Sequence, residues 1–134
     1  MSQVRTPANS ISSLFCDKNN NLWIGSDAQG LYKYSIRGNS YECIEPKDSH
    51  IKMNNIKSII SYNAQEIMMS TESGAIRVNI ETNEIKTLGE GKTYDNNTDR
   101  SIFSICKDNE GGLWFGKYFT GVTYWSPYAN RFSY

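Results

Sequence analysis

Residues 22–35 read LWIGSDAQGLYKYS, and residues 113–126 read LWFGKYFTGVTYWS. Leu-Trp, a Gly two positions after the Trp and a second Gly five positions further on recur in register. The same offset of 91 residues extends outward to align residues 11–43 with 102–134 without a gap. Ile11 then meets Ile102, Asp17 meets Asp108, Trp23 meets Trp114, Gly25 meets Gly116, Gly30 meets Gly121 and Asn39 meets Asn130. Apolar exchanges such as Leu14 for Ile105 and Leu31 for Val122 fill the intervals.

An offset of 91 is twice about 45, within the blade length of propeller repeats, so a third copy is expected halfway. Residues 56–88, IKSIISYNAQEIMMSTESGAIRVNIETNEIKTL, supply it. Ile56 falls under Ile11, Met68 under Trp23, Ser70 under Gly25 and, after one deleted residue, Gly74 under Gly30. This middle copy carries Tyr62 in place of the Asp, and so is a diverged version of the same unit.

Each copy reads as four short strands bounded by Asn, Gly, Asp and Ser, which are strand and hairpin signals. The composition agrees: of 134 residues 38% are apolar and 13% aromatic, a balance that suits half-buried pleated surfaces. No helical period is present. The first hairpins, DKNNN and DNEGG, place Asn and Gly where φ is positive, with Asp17 or Asp108 bonding to its own turn. Gly30, Gly74 and Gly121 open the third strands, where a side chain would obstruct a turn or a neighbouring backbone. The predicted fold is all-β, a partial β-propeller over residues 1–134 with three four-stranded antiparallel blades at about 11–50, 56–95 and 102–134. Three blades are fewer than the four to eight that close a ring, so two end faces call for cover. Further blades of the same kind would supply it, or a second copy of the chain in a homodimeric six-bladed ring.

Lys plus Arg balances Asp plus Glu at 14 each, which disfavours nucleic acid as a partner. No run of 18 apolar residues and no charged-then-apolar leader is present, so this segment is expected to make no membrane contact. Cys16, Cys43 and Cys106 lack metal-site spacing and are expected to be buried thiols acting as small apolar residues. DKNNN opens like a calcium loop but has Leu22 where that loop needs Gly and Ala28 where it needs Glu, so it reads as a turn. The single histidine, His50, reads as an exposed linker residue. GEGK at residues 89–92 lacks the flanks of a phosphate loop, and no hydrolase elbow or zinc-protease motif occurs. No metal, cofactor or catalytic residue is assigned.

The pattern Ile-x-x-(Ile/Leu)-x-x-Asp, a polar turn, Leu-Trp-(Ile/Phe)-Gly, four residues and Gly-(Leu/Val) resembles the two-component regulator propeller repeat. Residues 11–43 and 102–134 match it closely, and the middle copy departs at Tyr62, Met68 and Ser70. The resemblance implies the periplasmic sensor region of a bacterial hybrid two-component system, lying ahead of a membrane helix and kinase. It further implies a non-catalytic module that senses glycan-derived ligands. A propeller lyase or sugar-active enzyme fragment, or a purely structural interaction module, is the alternative.

Trp23 and Trp114 occupy one repeat position, which argues for packing, because a structural position recurs in every blade while a ligand contact usually does not. The loop between second and third strands does not repeat: SDAQ, TES and KYFT. Such loops gather on one rim of a propeller, so the ligand-binding candidates are Asp27, Gln29, Lys117, Tyr118 and Phe119. Tyr118 and Phe119 suit stacking on a sugar ring. Lys47, Asp95 and Arg100, in the long connections, are weaker candidates.

Overall fold

The computed structural model describes residue 3 and residues 5–8, 10–88, 102–117 and 121–126. Its strands are β1 (Ile11–Cys16), β2 (Asn21–Ser26), β3 (Leu31–Ser35), β4 (Ser40–Ile44), β5 (Ser58–Ser61), β6 (Glu66–Thr71), β7 (Gly74–Asn79), β8 (Ile85–Thr87), β9 (Ile102–Lys107), β10 (Leu113–Lys117) and β11 (Gly121–Trp125). Three antiparallel meanders result, ordered β1-β2-β3-β4, β5-β6-β7-β8 and β11-β10-β9. The described residues contain no helix. A fourth strand expected for the third sheet, in residues 130–134, lies outside the described residues, as do Asp95 and Arg100.

Polar side chains close the first hairpin of each sheet. Asp17 donates its backbone N–H to the Asn21 carbonyl at 2.9 Å, and its Oδ1 accepts the amides of Asn19 and Asn21 at 2.8 and 3.0 Å. Asn20 makes the turn at φ 62°. The third sheet repeats this: Asp108 Oδ1 accepts the amides of Glu110 and Gly112 at 2.9 and 2.8 Å, and Gly111 sits at φ 85°. In the middle sheet the cap moves one residue along, and Asn63 Oδ1 accepts the Gln65 amide at 2.9 Å.

The other carboxylate oxygen has a second task. Trp23 Nε1 donates to Asp17 Oδ2 at 2.7 Å, and Trp114 Nε1 donates to Asp108 Oδ2 at 3.0 Å. Each indole is thereby tied to the turn six residues upstream. The middle sheet has lost both partners together, with Tyr62 and Met68 in their places.

Because side chains alternate along a strand, residues paired across neighbouring strands share one face of the sheet. Phe15, Trp23 and Lys33 form one such row, matched by Ile60, Met68 and Arg77 and by Cys106, Trp114 and Tyr124. This is the trailing face. Leu14, Ile24 and Tyr32 belong to the leading face, matched by Ile59, Met69 and Ile76 and by Ile105, Phe115 and Thr123. The trailing face of the first sheet packs on the leading face of the second, joining Trp23 and Leu31 to Ile59, Ile67 and Met69. The trailing face of the second packs on the leading face of the third, joining Met68 and Ala75 to Ile105, Leu113 and Phe115. Strands β1, β5 and β9 adjoin one another in that order, so the three sheets stack side by side as consecutive blades.

Polar contacts reinforce the first junction. Lys33 Nζ lies 5.0 Å from the Trp23 ring centroid and donates to the Ile80 carbonyl at 2.7 Å and to Asn83 Oδ1 at 3.0 Å. Close approach explains Gly25: a Cβ there would stand 2.5 Å from Ser13 Oγ and 2.6 Å from Ile56 Cγ2, inside van der Waals distance. The middle sheet tolerates Ser70 at this place because its hydroxyl bonds that of Ser58 at 2.8 Å.

The stack ends explain two departures from the sequence expectations. Trp23 is 0% exposed, but Trp114 at the same repeat position is 42% exposed, with no further described sheet over it. The three cysteines, expected to be buried, are all exposed. Cys106 lies on the trailing face of the third sheet, opposite Trp114, while Cys16 and Cys43 lie on the leading face of the first, opposite Leu22 and Tyr32. For Cys106 the stack end is the reason, since its counterpart Ile60 is partly buried against the next sheet, whereas Cys16 is exposed at a position where its counterparts Ser61 and Lys107 are exposed too.

Candidate functional site

The loops between second and third strands are shaped by a hydroxyl and a glycine. Ser26 Oγ donates to the Gly30 carbonyl at 2.8 Å and accepts the Gln29 amide at 2.9 Å. Thr71 repeats the device, donating to the Gly74 carbonyl at 2.8 Å and accepting the Ser73 amide at 3.0 Å. Gly30, Gly74 and Gly121 lie at φ 83°, 121° and 85°, a region in which a Cβ is strained. Ser26 and Thr71 are fully buried, so their side chains serve the loop and leave its tip to the solvent.

Asp27 and Gln29 are exposed at that tip. Asp27 is held on three sides: its N–H donates to the Ser10 carbonyl at 3.1 Å, its Oδ2 accepts the Ser10 hydroxyl at 2.6 Å, and its carbonyl accepts the Asn55 amide at 2.8 Å. The connection entering the second sheet therefore runs along the first loop. It continues to the second loop, where Asn54 Nδ2 donates to Glu72 Oε1 and Ser73 Oγ donates to Asn54 Oδ1, each at 3.4 Å. Asp27, Gln29, Asn54, Glu72 and Ser73 thus share one rim. Glu72 and Ser73 lie in TES, the loop whose failure to match SDAQ is the signal for them, whereas Asn54 comes from the connection before the second copy, outside the repeat.

Lys117 ends β10, half-buried, opposite Gly121. Tyr118 and Phe119 lie outside the described residues. Lys47 lines a cleft of about 560 Å³ between the outer edges of β4 and β8, together with Glu42, Glu45, Asp48, Asn83 and Glu84. That cleft shares no residue with the rim. His50 is exposed, its Nδ1 3.1 Å from Asp48 Oδ1. Hydrogen bonds from the His50 backbone and ring hold the Asp48 carboxyl below its usual range. Among the described residues no group of three or more His, Cys, Asp or Glu side chains is placed to hold a metal, and no helix is long and apolar enough to cross a membrane.

Stacked antiparallel meanders with a framework that recurs from sheet to sheet and loops on one rim that do not recur define a β-propeller segment. The family model described as "Two component regulator propeller" matches residues 6–28 and 97–116, around the first hairpins of the first and third copies. Among solved structures, the chain is similar to the extracellular domain of the putative hybrid two-component system BT4673 from B. thetaiotaomicron, with a TM-score of 0.75 and 18% identity over 95% of this chain and 17% of that one. It is also similar to the corresponding domain of BT3049 from the same organism, with a TM-score of 0.53 and 11% identity over 93% of this chain and 22% of that one. Virginiamycin B lyase from Staphylococcus aureus shares the fold, with a TM-score of 0.62 and 15% identity over 92% of this chain and 44% of that one. The chain thus spans about a sixth of the first of these. No curated protein matches it.

Proposed function

We propose that this chain is a segment of the ligand-sensing propeller of a hybrid two-component sensor, lying on the periplasmic side of the inner membrane. In this reading it binds small glycan fragments at the rim and performs no chemistry itself. The observation that carries it is the division of labour along the repeat. Positions that recur build the sheets and their junctions, whereas Asp27, Gln29, Glu72 and Ser73, which do not recur, converge on one exposed rim. Carboxylate and amide groups of that kind are the usual hydrogen-bond partners of sugar hydroxyls, and fixed loops on a rigid scaffold suit recognition. Both the repeat family and the likeness to extracellular domains of two-component systems support the sensing role.

Calorimetric titration of the purified chain with a panel of oligosaccharides tests the reading, with product analysis run alongside because the fold also occurs in a lyase. Saturable binding is expected, weakened at least tenfold by Gln29→Ala, with the oligosaccharide recovered intact. Absence of saturable binding across the panel, or release of cleaved products, would overturn it.

A further inference from the structure

We propose that the cleft between the outer edges of β4 and β8 is a docking groove for an extended peptide segment that carries lysine or arginine. The cleft holds about 560 Å³, within the range of ligand sites. β4 and β8 are the last strands of the first two sheets, so each has one backbone edge with no strand beside it among the described residues. Such an edge offers N–H and C=O groups to an added strand. β4, with five residues against three in β8, offers the longer one. The cleft is also lined by Ile44, which is buried, and Ile85, which is half-buried. Apolar side chains and open strand edges therefore meet in one groove.

Charge selects the occupant. Glu42, Glu45, Asp48 and Glu84 line the cleft against a single cation, Lys47, although the chain as a whole is balanced at 14 acidic and 14 basic residues. Among the described residues Glu42, Glu45 and Glu84 form no ion pair, since the pairs are His50 with Asp48 and Arg77 with Glu66. Glu42 is held across the junction: its Oε2 accepts Asn83 Nδ2 at 3.1 Å, and Asn83 Oδ1 accepts Lys33 Nζ at 3.0 Å. No group of three such carboxylates among the described residues is placed to hold one metal ion, so they suit positive charges spaced along a chain. Edges of one charge sign repel their own kind, which disfavours a second copy of this chain here, and attract a strand of the opposite sign. Side chains alternate along an extended peptide, so a segment alternating basic and apolar residues can meet both the carboxylates and the Ile44–Ile85 lining.

The test titrates the purified chain with a short peptide alternating lysine and valine, reading affinity by calorimetry and strand pairing by amide hydrogen exchange. Saturable binding is expected, with exchange of amides in β4 slowed at least tenfold and amides of the third sheet unchanged. Glu45→Lys and Glu84→Lys, both at exposed positions, should each weaken binding at least tenfold while leaving thermal unfolding unchanged. Absence of binding, equal binding of a peptide alternating glutamate and valine, no slowing in β4 or β8, or full affinity in either variant would each overturn the proposal. Equal affinity for spermine, a cation with no backbone to pair, would overturn it as well. The cleft shares no residue with the rim, so these outcomes and those of the oligosaccharide titration stand separately.

Discussion

Asp17 and Asp108 each close a hairpin with one carboxylate oxygen and hold an indole N–H with the other. At Asp17 the indole is fully buried, so the pairing spares its N–H from being left without a partner. The Trp114 N–H, with the Gly112 and Glu110 amides, favours the charged form of Asp108 and lowers its pKa below the ordinary carboxyl value. A lowered folded pKa means that the unfolded chain binds the proton more tightly. The stabilisation from Asp108 is therefore complete above the unfolded value near pH 4 and is lost as pH falls through the lower folded value. Urea denaturation across the acid range should show Asp108→Asn losing less stability on acidification than the wild type. Parallel curves for the two proteins would refute the coupling. The recurrence of Asp with Trp in the first and third copies marked both as structural, but the bond between them was visible only in the joint loss at Tyr62 and Met68.

At the scale of elements, turn chemistry decides where strands end. Asn20 and Gly111 occupy the same turn position at φ 62° and 85°, and Asn39 and Asn83 do the same between third and fourth strands at 51° and 64°. For an L-residue other than Asn, Asp or Gly this conformation costs about 1–2 kcal/mol. Asn20→Ala should thus lower stability by about 1 kcal/mol while Asn20→Gly is close to neutral, as thermal denaturation would measure. Comparable losses in the two variants would point to a side-chain role for Asn20 instead. The first two copies hold the four strands read for each and the third holds three among the described residues, because Asn, Gly and Asp set the strand boundaries locally. The cysteines were misread for the opposite reason: whether Cys106 is covered depends on a neighbouring sheet, which local sequence does not encode. The rim was legible only as a non-repeating loop. Its partners Ser10 and Asn54 arrive from segments outside the repeat, where no periodicity pointed to them.

For the whole molecule, one rule accounts for the two apolar clusters between the described sheets: a trailing face lies on the next leading face. The rule places Leu14, Trp114 and Val122 on open ends without any change in their repeat role. It also separates framework from site, since junction residues recur and rim residues do not. Trp23 and Trp114 give the most direct test, being the same residue type at the same repeat position and bonded to the same kind of Asp. They differ in whether a sheet lies over them. Equilibrium denaturation of Trp23→Ala and Trp114→Ala at concentrations where the chain is monomeric should show a loss of about 3–5 kcal/mol for the first, as for a buried aromatic. For the second the loss should stay within about 1 kcal/mol, as for an exposed side chain. Equal losses would contradict the assignment of this position to the junction between sheets.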